Sequence, residues 1–233
     1  MVPSTSLYKY QPLNLYSLSA LTNCSLWFSG FDRLNDPFES TYEFSPEMIF
    51  SYSEKVRVAE DTIMAIVKSS GVCSFTRIPP IGADQFRESS LMWSHYAAQF
   101  SGVCIEFDYD ILIESLKKQP EVDLICQNVI YTPYAHKVNK PNEAYELDVM
   151  FKKHKAWSYE KEFRIVNTKT GNDRLHTYSS NAIKSIYIGG RMSREEIKLI
   201  KVIRNSINDK INLLHVDVSN QGYLFELRDL DFD

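Results

Sequence analysis

Short apolar runs, each closed by turn residues, outnumber the helical stretches of this chain, and the last three follow one another with a single helix between them. A regular βαβ array needs a helix between every two strands, so this order points to an α+β fold. The expected architecture is a single globular domain over residues 1–233, a mixed, mostly antiparallel sheet with flanking helices. Its distinctive motifs fall within about residues 7–188, and a strand-helix-strand-strand extension covers 183–233. A chain of this length can remove roughly 70% of its unfolded surface from water.

Along the chain, a first strand is expected over Leu7 to Tyr10, then a helix from Asn14, whose side chain can cap it. Ser25 to Ser29 reads as a second strand. Ser45, Pro46 and Glu47 open a helix in the favoured way, and it is expected to run to about Ser70. GVCSFT is a buried strand, TRIPPIGADQFRES a mobile loop, and Ser89 or Ser90 a cap for a short helix bearing MWSHYAAQF. VCIEFD reads as a central strand, Tyr109 to Lys118 as a helix, VDLICQNVIYT as one longer strand, and 143–157 as a helix after the loop KVNKPNEAY. EFRIV, RLHTYS, IKSIYIG, NLLHVDV and YLFEL complete the strands, and Ser193 with Glu196 forms a capping box before the last helix.

Composition excludes more than it assigns. Twenty-six Lys plus Arg against thirty Asp plus Glu leave a net charge of −4, with no general attraction for nucleic acid or an anionic membrane. No apolar run approaches the ~20 residues that span a bilayer. MVPSTSLYKY lacks the charged start and apolar middle of a signal peptide, so a soluble, cytoplasmic protein is expected. Cys24, Cys73, Cys104 and Cys126 form no CxxC pair and read as buried thiols, and the five histidines show no ligand spacing, so no metal is expected. With eight glycines there is no dinucleotide fingerprint or phosphate loop, and no GxSxG or HExxH.

Chemistry can reside in four segments. LMWSHYA places Trp93, His95 and Tyr96 on a short helix, and CIEFD puts Glu106 and Asp108 on one face of a strand. KAWSYEKEFR is the densest polar and aromatic stretch, with Trp157, Tyr159, Glu160, Glu162 and Arg164. If extended, Glu160, Glu162 and Arg164 share a face, where they either neutralise one another or surround a polar ligand. An ion pair from Arg164 to Glu106 or Asp108 is the purely structural alternative. In LNDPFE, Asn35 and Asp36 either form an Asx turn that fixes Pro37 or grip a ligand.

LYKYQPL at 7–13, LWFSGFDRLNDPFES at 26–40, GVCSFT, LMWSHYA, GVCIEFD and the W and YEKEFR of 157–164 together resemble an uncharacterised bacterial domain family that recurs near phage-defence and abortive-infection genes. Gln11 stands where that family often has Arg, and Leu34 where it has Phe. The order of elements is also similar to that of ADP-ribosyltransferases. The resemblance implies NAD as a substrate, Lys9, Tyr10 and Ser29 on the first two strands, and Glu160 and Glu162 at the start of a later one.

Three functions therefore stand side by side. The first is an NAD-using ADP-ribosyltransferase-like effector or NAD glycohydrolase. Glu162 would stabilise the sugar cation and Glu160 and His95 would assist, with Lys9, Tyr10, Ser29, Asn35, Asp36, Trp93, Tyr96 and Arg164 around the cofactor. The second is a non-catalytic binding or regulatory module of a defence system, in which the same residues form a satisfied polar core. The third is a metal-dependent nuclease using Asp36, Glu106, Asp108, Glu160 and Lys161. The expected partner is a small molecule or a protein target, with no membrane and no strong nucleic-acid signal.

Overall fold

Alternation along the central strands sorts their side chains onto two faces, and that sorting positions the site. The computed structural model describes residues 6–81, 86–120, 122–139, 145–170 and 173–230. β1 (Ser6–Gln11) leads to α1 (Leu15–Thr22), which Asn14 caps by accepting from the Ser17 N–H at 3.0 Å. β2 (Ser25–Trp27) is shorter than expected, because Ser29 pairs instead with Val72 in an isolated bridge. After β3 (Tyr42–Phe44) the expected long helix comes as two, α2 (Pro46–Ser51) and α3 (Ser53–Ser69), broken where Tyr52 leaves the helical region at φ −137° and ψ 37°.

β4 (Gly71–Thr76), α4 (Phe86–Tyr96), β5 (Val103–Asp108) and α5 (Tyr109–Lys117) follow. Ser89 and Ser90 sit inside α4 rather than at its cap, and buried Ser89 donates to the Pro79 carbonyl at 2.9 Å. Residues 82–85 of the expected mobile loop and 140–144 of KVNKPNEAY lie outside the described residues. The strand expected over VDLICQNVIYT is divided into β6 (Leu124–Asn128) and β7 (Ile130–Thr132), which belong to different sheets, and β8 (His136–Val138) comes next.

The largest departure falls at 143–157. In place of a helix the chain makes a single turn, α6 (Tyr145–Asp148), a 3-10 turn over Val149–Phe151, β9 (Lys152–His154) and a second 3-10 segment over Lys155–Glu160. Val149, Met150 and Phe151 are consecutive and all buried, and Lys153 is buried too, a pattern that an amphipathic helix with one apolar stripe cannot supply. β10 (Glu162–Asn167), β11 (Leu175–Thr177), β12 (Ile183–Gly189), α7 (Arg194–Ile207), β13 (Asn212–Val218) and β14 (Phe225–Asp229) complete the order, with the Ser193–Glu196 capping box formed as expected.

Eight strands make one sheet in the order β14-β13-β12-β5-β1-β4-β10-β6. Every neighbouring pair is antiparallel except β12 and β13, which α7 connects in parallel. With its flanking helices this is the α+β architecture that the sequence implies. β2 with β11, β3 with β8 and β7 with β9 form small separate pairs.

On one face, Leu7, Phe75, Ile105, Phe107, Phe163 and Ile165 form the main core with Leu21 of α1, Leu112 and Leu116 of α5 and Ile200 of α7. The opposite face receives Tyr8, Tyr10, Ser74, Thr76, Glu106, Glu162 and Arg164, the alternate positions of the same strands. Two smaller apolar clusters pack there, one of Tyr10, Trp93, Phe100, Tyr187 and Val216, the other of Phe31, Met48, Ile63, Met150, Phe151 and Val166. Among the described residues no helix is long and apolar enough to cross a membrane.

Candidate functional site

Just ahead of β10 the backbone turns left-handed at Lys161, with φ 44° and ψ 46°. A non-glycine residue there costs about 1–2 kcal/mol. Glu160 therefore ends a 3-10 segment instead of starting the strand, and Thr76 holds its carbonyl with a hydroxyl donated at 2.6 Å. Only Glu162 and Arg164 share a strand face as expected. The turn nevertheless delivers the Glu160 carboxylate to the same place.

That place is a nearly closed network of charge. Arg164, with no exposed surface, donates from Nε to Glu162 Oε1 at 2.8 Å and from Nη2 to Glu162 Oε2 at 3.0 Å. Its Nη2 also reaches Glu39 Oε1 at 2.7 Å, and Nη1 the Met150 carbonyl at 2.7 Å. Lys153 of β9 approaches Glu160 at 2.9 Å, Glu39 at 3.4 Å and Glu162 at 3.6 Å. Two cations thus serve three carboxylates. Burying any one of these charges unpaired would cost several kcal/mol, so the five residues hold one another in place.

The alternative pairing of Arg164 with Glu106 or Asp108 does not form, because β4 and β1 stand between β10 and β5. Glu106 accepts instead from Ser6 at 2.6 Å and Tyr187 at 2.9 Å and pairs with Lys184 at 3.2 Å. Asp108 caps α5, accepting from the Ile111 N–H at 3.1 Å.

One side of the network opens on a cleft of about 140 Å³, lined by Tyr8, Tyr10, Asn35, Tyr96, Glu160 and Glu162 among others. At ~30 Å³ per water this is room for about four waters or one ring-sized group. The Tyr96 hydroxyl donates to Glu160 Oε1 and accepts from Asn35 Nδ2 at 2.8 Å, while Asn35 Oδ1 lies 3.4 Å from Lys153 Nζ. LNDPFE, LMWSHYA and YEKEFR therefore meet around one carboxylate.

Two of the three glutamates that line the cleft, Glu160 and Glu162, are driven apart electrostatically. Burial pushes the Glu160 carboxyl above its usual range, against the pull of Lys153. Burial works most strongly on Glu162 as well, but the Arg164 guanidinium and the Lys153 ammonium together outweigh it and hold that carboxyl below the usual range. Burial and then the Glu160 charge raise the Tyr96 hydroxyl, so it stays a donor. For Lys153 the surrounding carboxylates, Glu162 foremost, overcome burial and keep the ammonium charged.

The remaining candidates are placed differently. Trp93, 1% exposed, is a core residue whose indole N–H donates to the Pro80 carbonyl at 3.1 Å and whose ring meets Tyr10 edge-on at 5.1 Å. His95 follows a different line along α4 from Tyr96, one residue and about 100° away, and contacts the Tyr159 hydroxyl at 3.0 Å. Lys9 borders the cleft, but by strand alternation its side chain belongs to the other face, where Nζ donates to the Ser74 carbonyl at 3.0 Å and lies over the Phe75 ring. Ser29 is engaged with Val72, away from the cleft. Asp36 forms the expected Asx turn, accepting from the Phe38 N–H at 3.0 Å, and lines a neighbouring hollow. The five nuclease candidates are not gathered, and among the described residues no set of three or more His, Cys, Asp or Glu side chains could hold a metal ion.

Lys153, Glu39 and Tyr131, whose hydroxyl accepts from the Glu162 N–H at 2.9 Å, are the network members absent from the sequence reading. Nothing in the local pattern around Lys153 marks it as a partner of the motif glutamates, which Lys9, Arg33, Lys161 and Arg164 could equally balance by count.

Residues 92–165, about a third of the chain, match the model of a family described as Protein of unknown function (DUF2971). That span begins on α4 and ends on Arg164 and Ile165, so it takes in Tyr96, Lys153, Glu160, Glu162 and Arg164. No curated protein and no solved structure matches the chain.

Proposed function

We propose that the cleft receives the nicotinamide ring of NAD and that the glycosidic bond joining it to ribose is cleaved there, making the protein an ADP-ribosyltransferase-like enzyme or NAD glycohydrolase. The observation that carries this reading is the divergence of Glu160 and Glu162, two carboxylates on one cleft with environments that push them in opposite directions. Such a pair is equipped for two separate tasks.

Glu162, kept ionised by Arg164, supplies fixed negative charge for the oxocarbenium-like sugar that forms as nicotinamide departs with the bonding electron pair. The oxygen of water or of an acceptor hydroxyl bonds to the anomeric carbon and gives its proton to Glu160. Tyr10 and Tyr96 offer aromatic surface to the cationic ring, and the Asn35 amide offers hydrogen bonds. About 140 Å³ admits one ring, so the rest of the dinucleotide lies outside the cleft. NAD consumption also fits an effector of the kind that the resemblance to a phage-defence-associated family implies.

A second reading, a non-catalytic recognition module, is favoured by one specific observation. Both oxygens of Glu160 and both of Glu162 are already engaged, by Tyr96 and Lys153 and by Arg164. Nicotinamide release by the purified protein, followed by NMR, separates the two. Release that disappears in Glu162→Gln supports catalysis, whereas full release in that variant overturns it. NAD or ADP-ribose bound without turnover by the unaltered protein supports the recognition module.

A further inference from the structure

A larger hollow, about 480 Å³, shares Lys153 with the cleft and extends between the LNDPFE loop and the segment around β9. Its size is that of a site for a whole small molecule. Phe38, Tyr134 and Trp157 supply its aromatic surface, and Phe38 and Tyr134 are 71% and 77% exposed. Rings held this open to water in a concave site gain from stacking against a planar ligand.

Asp36 provides the polar contact. It is 4% exposed, and while Oδ1 accepts from the Phe38 N–H, Oδ2 is buried with no hydrogen-bond partner. A buried carboxylate oxygen without a donor is rare and calls for one. Donors stand on the same wall: the Lys152 ammonium, in contact with His136 and 3.5 Å from Asp148, and His154, whose Nδ1 accepts from the Ala156 N–H at 3.3 Å and leaves Nε2–H to donate.

We propose that this hollow binds an adenine nucleotide, its base against Phe38, Tyr134 and Trp157, its exocyclic amine donating to Asp36 Oδ2, and its phosphate at Lys152 and His154. The single free oxygen selects the base. Adenine presents an amine at C6, where guanine and hypoxanthine both present a carbonyl that a carboxylate repels. The proposal is independent of the NAD reading, because AMP has no nicotinamide bond and its binding is measured without turnover.

Calorimetric titration with AMP, IMP and GMP tests it. AMP is expected to bind at least about tenfold tighter than IMP or GMP, the size of one hydrogen bond to a charged acceptor. Asp36→Asn keeps an acceptor for the Phe38 N–H and turns the second position into a donor, so the AMP over IMP preference should reverse. Phe38→Ala, at an exposed position, should weaken AMP about tenfold through lost stacking while leaving the unfolding midpoint unchanged, and it serves as the test if Asp36→Asn does not fold. No detectable AMP binding, equal affinity for AMP and IMP, or AMP binding insensitive to Phe38→Ala and lost in Tyr96→Phe would each overturn the assignment.

Discussion

Arg164 grips both oxygens of Glu162, at 2.8 and 3.0 Å, from only two residues along the same strand. The remaining guanidinium positions reach Glu39 in the LNDPFE loop and the Met150 carbonyl ahead of β9, so one side chain ties three segments together. Arg164→Met leaves three buried carboxylates to share Lys153 alone and is expected to lower unfolding free energy by about 3–5 kcal/mol. Arg164→Lys should recover only part of it, since a point charge cannot serve the same fork of acceptors. Urea denaturation measures both; a loss below about 1 kcal/mol for the methionine variant would show the network to be dispensable.

Acid and alkali act on this network from opposite sides. Glu162 titrates lower in the folded chain than in the unfolded one, so its contribution is present above the unfolded glutamate value of about 4.3 and is lost as pH falls through the folded value. Lys153 titrates higher when folded, so its contribution is present below the unfolded lysine value of about 10.4 and is lost as pH rises through the folded value. Glu160 has the opposite sign to Glu162: its raised value makes the fold gain stability as pH falls through it. Denaturation midpoints measured across pH should show the acid limb flattened in Glu162→Gln and the alkaline limb flattened in Lys153→Met. Unchanged limbs would mean that other groups set both.

Tyr96→Phe removes a single hydroxyl, which leaves the buried Glu160 Oε1 without its donor and returns the exposed Asn35 Nδ2 to water. The expected loss is about 1–3 kcal/mol, with the Glu160 carboxyl titrating still higher in a carbon-detected NMR experiment. His95→Ala, one position earlier and exposed, should stay within about 0.5 kcal/mol of the parent. Equal effects at the two positions would argue against a special environment at Tyr96.

The loop after α4 has its own conformational demand. Ala98, Gln99 and Phe100 all lie at positive φ, 47°, 55° and 75°, and a Cβ on Gly102 would run into the carbonyl oxygens of Gln11 and Ala97. Gly102→Ala is therefore expected to cost more than about 1 kcal/mol, because backbone must move, whereas Gln99→Gly is expected to be neutral or stabilising. Thermal unfolding distinguishes the two signs.

Much of the sheet was legible because its central strands are short apolar runs between clear turn signals, and the shared face of Glu162 and Arg164 was legible from alternation. Strand order was not. Choosing Glu106 or Asp108 as the partner of Arg164 was reasonable from pattern alone, but pattern does not say that two strands intervene. Lys153 escaped notice because a three-residue strand between two 3-10 turns has no period to detect, and KKH reads as a solvated helical surface. The placement of Glu160 depends on a left-handed lysine, which no residue preference announces.

The C-terminal strands bear on a region they never mention in sequence. Phe225 stacks on Phe100 at 5.6 Å, Val216 shares a cluster with Trp93, and the N–H groups of Gly189 and Arg191 donate to Gly102 and Phe100 at 3.0 Å. A chain cut after Gly189 would keep every motif of the cleft yet wet the underside of α4, and a fragment trimmed to those motifs is expected to aggregate or lose the orientation of Tyr96. The tail works as a buttress, and shortening the protein from that end dismantles a pocket to which it contributes no wall.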